Sequence, residues 1–183
     1  MYIFKSKNIY QLNLEFMNWR CYVFTLLFVS GNLFFPWLVH KFPLGGPMFL
    51  PIYFFVLIGA YKFGWRVGLF TAILSPLANH FLTGMPPLPM LATILVKGTA
   101  MAAFASYIAY KTKKLSFQNL AIIIIGYQAV GLVFEWIYTS SLIKAVQDFI
   151  IGYPGLLVQF FGGFLLLWLL RDYGKTTAST QFI

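Results

Sequence analysis

Six apolar runs recur along this chain, each close to the length that crosses a bilayer, with its charges held in short clusters between them. They lie near residues 21–39, 48–63, 65–82, 88–110, 118–138 and 152–170. A hydrocarbon core about 30 Å thick takes about 20 helical residues to cross, fewer where the flanking loops reach inward. Lipid offers no water to unpaired backbone groups, so segments of this kind close their hydrogen bonds internally, as helices. The charged fraction points the same way, since 9% of residues are charged against about a quarter in soluble domains. The expected fold class is all-α: a six-helix transmembrane bundle in one integral membrane domain, residues 1–183, with residues 1–20 and 172–183 as cytoplasmic tails.

Orientation follows from where the lysines and arginines fall. With the N-terminus inside, the inner side carries Lys5, Lys7, Arg20, Lys62, Arg66, Lys111, Lys113, Lys114, Arg171 and Lys175, while the outer loops carry Lys41 and Lys144. Ten against two gives an N-in/C-in topology. The net charge of +9 is thereby a topology signal spread over loops, and no nucleic-acid partner is expected. The polar start, MYIFKSKNIYQLNLEFMNWR, leads into a run longer than a signal-peptide core with no small-residue cleavage site after it, so this run reads as a retained first span. The single cysteine, Cys21, excludes an intramolecular disulfide and any multi-cysteine metal centre.

Two outer loops are rich in helix-breaking residues: 40–47, HKFPLGGP, and 83–89, TGMPPLP. They serve as lids over a pocket or simply as turns. A third outer segment, Thr139 to Ile151, sets Lys144 and Asp148 four apart among apolar residues, the pattern of a short surface helix. Small residues recur at Ala60, Gly64, Gly68 and Ala72, and again at Gly98, Ala102 and Ser106. Such rows let helices approach closely. Packing within the chain is the default reading, and a docking face for a partner subunit is the sharper one.

Two ionisable side chains fall inside spans, Lys97 in the fourth and Glu135 in the fifth. An uncompensated charge in lipid costs at least about 2.5 kcal/mol, so each must face the bundle interior, a partner or water. Lys97 lies seven residues beyond Met90, about 10 Å below the outer end; Glu135 lies three residues before Tyr138, where the fifth span emerges. Gln159, Asn79 and His80 belong to the same outer half, with Gln128 nearer the middle. The inner halves hold no comparable polar set. A pocket open to the outside follows, with Lys97 as cation or donor, Glu135 as acceptor, and Asn79 and Gln159 adding hydrogen bonds. The plainer alternative is a Lys97–Glu135 ion pair that locks two helices together. Trp37, Phe81, Trp136, Tyr138 and Tyr153 stand near the outer boundary, to stack on a flat ligand or to form an interfacial belt.

Enzymatic signatures are missing from the sequence: no H-E-x-x-H, no G-x-S-x-G and no P-loop. His40 and His80 have no carboxylate cluster beside them, so no metal and no cofactor is expected. Without a nucleotide fold, any energy must come from elsewhere.

Gly59-x4-Gly64-x3-Gly68 across the turn between spans two and three, Ser75-Pro76 in the third span, and Leu82-Thr83-Gly84-Met85-Pro86-Pro87 before the fourth resemble the central region of the S components of energy-coupling factor (ECF) vitamin transporters. About 50 of the 183 residues carry this resemblance. It implies high-affinity capture of a vitamin or vitamin precursor at the extracellular side of a bacterial cytoplasmic membrane, under the loops after the first and third spans. Asn79, His80, Gln128, Trp136 and Trp37 would join Lys97, Glu135 and Gln159 around the ligand. The resemblance further implies docking onto a transmembrane T component driven by two cytosolic ATPases. In the family such docking uses A-x-x-x-A spacing in the first span; here Cys21 and Thr25 are the nearest equivalent, with Gly64 and Gly68 as further docking candidates.

The strongest competing reading is a structural membrane subunit similar to the cell-shape protein MreD, with no transported ligand. A membrane-embedded enzyme comes third. A lysine and a glutamate together suit a zwitterion or a neutral heterocycle with a polar tail, and the substrate stays open among vitamin precursors such as pantothenate or a cobalamin building block.

Overall fold

The computed structural model describes residues 7–39 and 51–174, and leaves the side chains of 36–39, 51, 144 and 147–149 outside the description. The expected lid at 40–47 therefore lies outside the described residues, as do the side chains of Trp37, Lys144 and Asp148. Each of the six apolar runs holds a helix, and the whole is an all-α bundle. The helices are α1 (Trp19–Val39), α2 (Phe54–Phe63), α3 (Trp65–Thr83), α4 (Leu88–Thr112), α5 (Phe117–Thr139), α6 (Leu142–Ile151) and α7 (Tyr153–Leu169). The short α6 occupies the segment whose spacing predicts a surface helix. Two of the helices, α4 and α5, are long and apolar enough to cross a membrane.

Local sequence sets the breaks. Gly64 ends α2 at φ 105°, a region open mainly to glycine, and a Cβ there would come 2.8 Å from the Asn13 Cα. Gly84 closes α3 in the left-handed conformation, its N–H bonded to the His80 carbonyl. Pro89 sits in the first turn of α4, where its missing N–H costs nothing. Ser116 caps α5 by accepting a hydrogen bond from the Asn119 N–H at 3.2 Å. Two helices also carry a π-helical turn, Gly59–Phe63 in α2 and Val158–Gly162 in α7.

Glycine and alanine bring the central helices together. A Cβ on Gly68 would overlap Ala60, one on Gly98 would stand 3.3 Å from the Ala72 Cβ, and one on Gly126 would stand 3.2 Å from the Phe104 ring. Both small-residue rows are thus spent on packing α2 against α3, and α3 against α4. The buried core runs through Phe28, Leu57, Tyr61, Met101, Ile123 and Leu167. The outward faces are apolar too: on α5 alone, Ile122, Ile125, Val133 and Ile137 are all more than half exposed.

The end of the bundle where most basic residues gather is built from a segment with no periodic pattern of its own. Residues 7–18 pack across it as a strap, with Ile9 and Leu14 buried. Lys7–Asn8 (β1) pairs antiparallel with Lys114–Leu115 (β2). The Leu12 and Leu14 amides bond to the carbonyls of Lys62 and Phe63, each at 2.9 Å. Lys62, counted as a loop charge from the sequence, is fully buried and donates to the Tyr10 carbonyl at 2.8 Å and the Arg171 carbonyl at 3.1 Å. Beside it, the Tyr61 hydroxyl and the Asn119 amide both donate to the Lys114 carbonyl, at 2.6 and 2.7 Å. Polar atoms therefore occupy both ends of the bundle. Those at the basic end mostly close off backbone carbonyls that a hydropathy pattern does not see.

Candidate functional site

Three positions on one face of α5 form the site: Gln128, Gly131 and Glu135, at i, i+3 and i+7, one above another. The side chain of Lys97 reaches across from α4. Its Nζ lies 3.1 Å from Glu135 Oε2, with the lysine side chain 1% exposed and the carboxylate 19%. Gly131 makes this possible, since a Cβ there would overlap the Cγ, Cδ and Cε atoms of Lys97. The missing side chain is a channel through which the lysine stem passes to the carboxylate.

Below the channel lies Gln128, 1% exposed. Its Oε1 and Nε2 are both buried, and neither has a hydrogen-bond partner. An unsatisfied buried polar group costs about 1–3 kcal/mol, so both halves of this carboxamide are poised to accept a partner. The next residue along, Tyr127, turns its hydroxyl to Gln159 on α7 and donates to Oε1 at 2.8 Å. Its ring packs beside Tyr53 with centroids 5.4 Å apart. Spans four, five and six thus supply Lys97, then Gln128 and Glu135, then Gln159, and the structure gathers these four about the Tyr127–Glu135 stretch of α5.

Asn79 and His80 stand at the end of α3. Asn79 is 8% exposed, its carbonyl and Oδ1 both accepting from the Thr83 hydroxyl, at 2.7 and 3.3 Å. His80 Nδ1 lies 2.8 Å from the Pro86 carbonyl, so its ring pins the loop 83–87, which contains the cis Met85–Pro86 peptide. Trp136 points away from this group and is 52% exposed; it belongs to the outer surface of α5.

The docking candidates are all buried within the chain. Cys21 is fully buried and Thr25 is 3% exposed, the threonine hydroxyl donating back to the Cys21 carbonyl at 2.8 Å. Both face the bundle interior. Gly64 and Gly68 close against Asn13 and Ala60 of the same chain. Each of the four makes a contact within the fold.

Tyr127 and Gly131 are the site residues that sequence reasoning missed. Their signal was present as spacing: 127, 128, 131 and 135 share one helical stripe with the buried charge. A second polar pair also went unseen, Asn32 on α1 donating to the Ser75 hydroxyl at 2.9 Å, fully buried beside Pro76. Two clefts, described below, open elsewhere on the surface and include none of these residues. No protein-family model matches the chain, and no curated protein and no solved structure matches it.

Proposed function

We propose that the chain is a multi-pass protein of a bacterial cytoplasmic membrane that captures a small polar molecule from the outer side, as an ECF-type S component takes up a vitamin or vitamin precursor. The observation that carries this reading is the orphaned carboxamide of Gln128 beneath the Lys97–Glu135 pair, inside helices whose outer faces are coated with exposed isoleucine and valine. Charge and amide groups inside, with apolar side chains outside, reverse the ordinary soluble arrangement. Lys97 supplies a cation or donor, Glu135 an acceptor, and Gln128 one of each. Such a set suits a ligand with an ammonium or amide at one end and a carboxylate or carbonyl at the other. Transport against a gradient then requires a T component and two ATPase subunits, since this sequence has no nucleotide fold.

The direct 3.1 Å contact of Lys97 with Glu135 favours a second reading: a structural membrane subunit of the MreD kind, in which the pair only joins α4 to α5. Mass spectrometry of small molecules released from the purified protein separates the two. A stoichiometric polar compound, lost in Lys97→Ala with expression unchanged, supports capture. Protein that is empty in both forms, from cells grown in rich medium, supports the structural subunit.

A further inference from the structure

At the basic end a cleft of about 570 Å³ opens between the strap, the start of α1 and the residues after α7; Leu12, Trp19, Arg20, Phe24 and Asp172 line it. A groove of about 470 Å³ follows α1 from Leu27 to Phe34, floored by Phe55 and bordered by Leu166 and Leu170. Phe24 lines both, so the two meet at that ring and form one crevice with two chemistries. Among the described residues that line the groove, Ser30 has the only polar side chain. At the mouth, Asp172 is held by Arg171 at 2.9 Å, whereas the Arg20 guanidinium has no hydrogen bond or ion pair among the described residues. One cation is left uncompensated there.

From Arg20 to Phe34 the crevice follows α1 for about 21 Å at 1.5 Å per residue. That exceeds the roughly 15 Å of one hydrocarbon leaflet by about the depth of a headgroup layer. The floor argues against a partner helix: a Cβ on Gly31 would sit 2.6 Å from the Phe55 ring, so no small-residue seam is left for another backbone to approach. An apolar groove that ends at a cation matches a hydrocarbon chain carrying an anionic head.

We propose that this crevice holds one anionic phospholipid, its headgroup against Arg20 and one acyl chain laid along α1 between Phe24 and Phe34. Trp19, 67% exposed beside the mouth, takes the interfacial position that tryptophan favours. The inference rests on the membrane reading above, though not on the ligand site. A basic residue at an anionic membrane surface contributes about 1 kcal/mol, or about fivefold in affinity.

The test uses full-length protein in a neutral detergent, offered phosphatidylglycerol, phosphatidylcholine or soluble glycerol phosphate, with retention read by native mass spectrometry and stabilisation by thermal unfolding. Phosphatidylglycerol should be retained about fivefold over phosphatidylcholine, and glycerol phosphate should do nothing. Arg20→Gln, an exposed substitution, should erase the preference while leaving some lipid bound; Ser30→Phe, which fills the groove, should lower retention of both lipids. Equal retention of the two lipids by the unaltered protein, an undiminished preference in Arg20→Gln, or full stabilisation by glycerol phosphate would overturn the proposal. So would a stoichiometric protein partner in the groove that lipid does not displace. A chain that stays dissolved without detergent would overturn the membrane reading as well, which separates that failure from the others.

Discussion

Lys97 reaches Glu135 by passing through the space where Gly131 has no side chain. Three residues on two helices are thereby bound into one unit, and none can change alone. Gly131→Ala would ordinarily gain up to about 1 kcal/mol of helix propensity. Here we expect a net loss of about 1–3 kcal/mol from overpacking, read as a lower unfolding midpoint in detergent. In a Lys97→Ala background the same substitution should cost much less, and a double-mutant cycle measures the difference. Purely additive effects would show that the lysine does not run through the channel.

Removing one member of the ion pair breaks the link it makes between α4 and α5. Lys97→Met leaves a carboxylate that is one-fifth exposed, so its penalty should fall below the 3–5 kcal/mol of a fully buried broken pair. Glu135→Gln leaves a lysine at 1% exposure and should cost more. The double variant should recover most of the loss in stability. If the protein captures a ligand, however, the double variant should still fail to bind it.

Gln128→Leu offers the sharpest separation of folding from function. The substitution removes two buried polar atoms that have no partner, at similar volume, so the ligand-free protein should gain about 1–3 kcal/mol. Ligand affinity should fall at the same time. A stability gain accompanied by undiminished uptake or binding would mean that the carboxamide takes no part in recognition.

At the opposite end, Lys62 holds two carbonyls from distant parts of the chain, those of Tyr10 and Arg171. Lys62→Met keeps most of the stem volume and leaves both acceptors short of a donor, at a cost of about 1–3 kcal/mol. Hydrogen exchange should report this locally. The Ile9, Leu12 and Leu14 amides should lose protection first, while those in the middle of α4 and α5 stay protected.

The helices were legible because a bilayer-length apolar run admits few other structures, and the starts of α3 and α4 fall where Gly64 and Pro89 place them. Lys97 and Glu135 were legible for a related reason: a charge inside such a run must find a partner, and each found the other. Lys62 was not, because a lysine at the end of an apolar run looks the same whether it enters water or folds back onto carbonyls. The strap was equally hidden, since pairing β1 with β2 joins segments more than a hundred residues apart with no periodic pattern to announce it. Cys21 and Thr25 show the converse: spacing placed them on one face of α1, and only tertiary packing reveals that this face is turned inward.

The strap has a mechanical consequence. Strand pairing, three main-chain bonds and a buried ammonium stitch the beginning of the chain to the α2–α3 turn, the α4–α5 turn and the end of α7. The basic end therefore behaves as a single plate, and α1 cannot swing away without tearing that stitching. Opening is therefore easier at the far rim, where no such stitching ties the described residues together, in the manner of fingers rising from a closed palm.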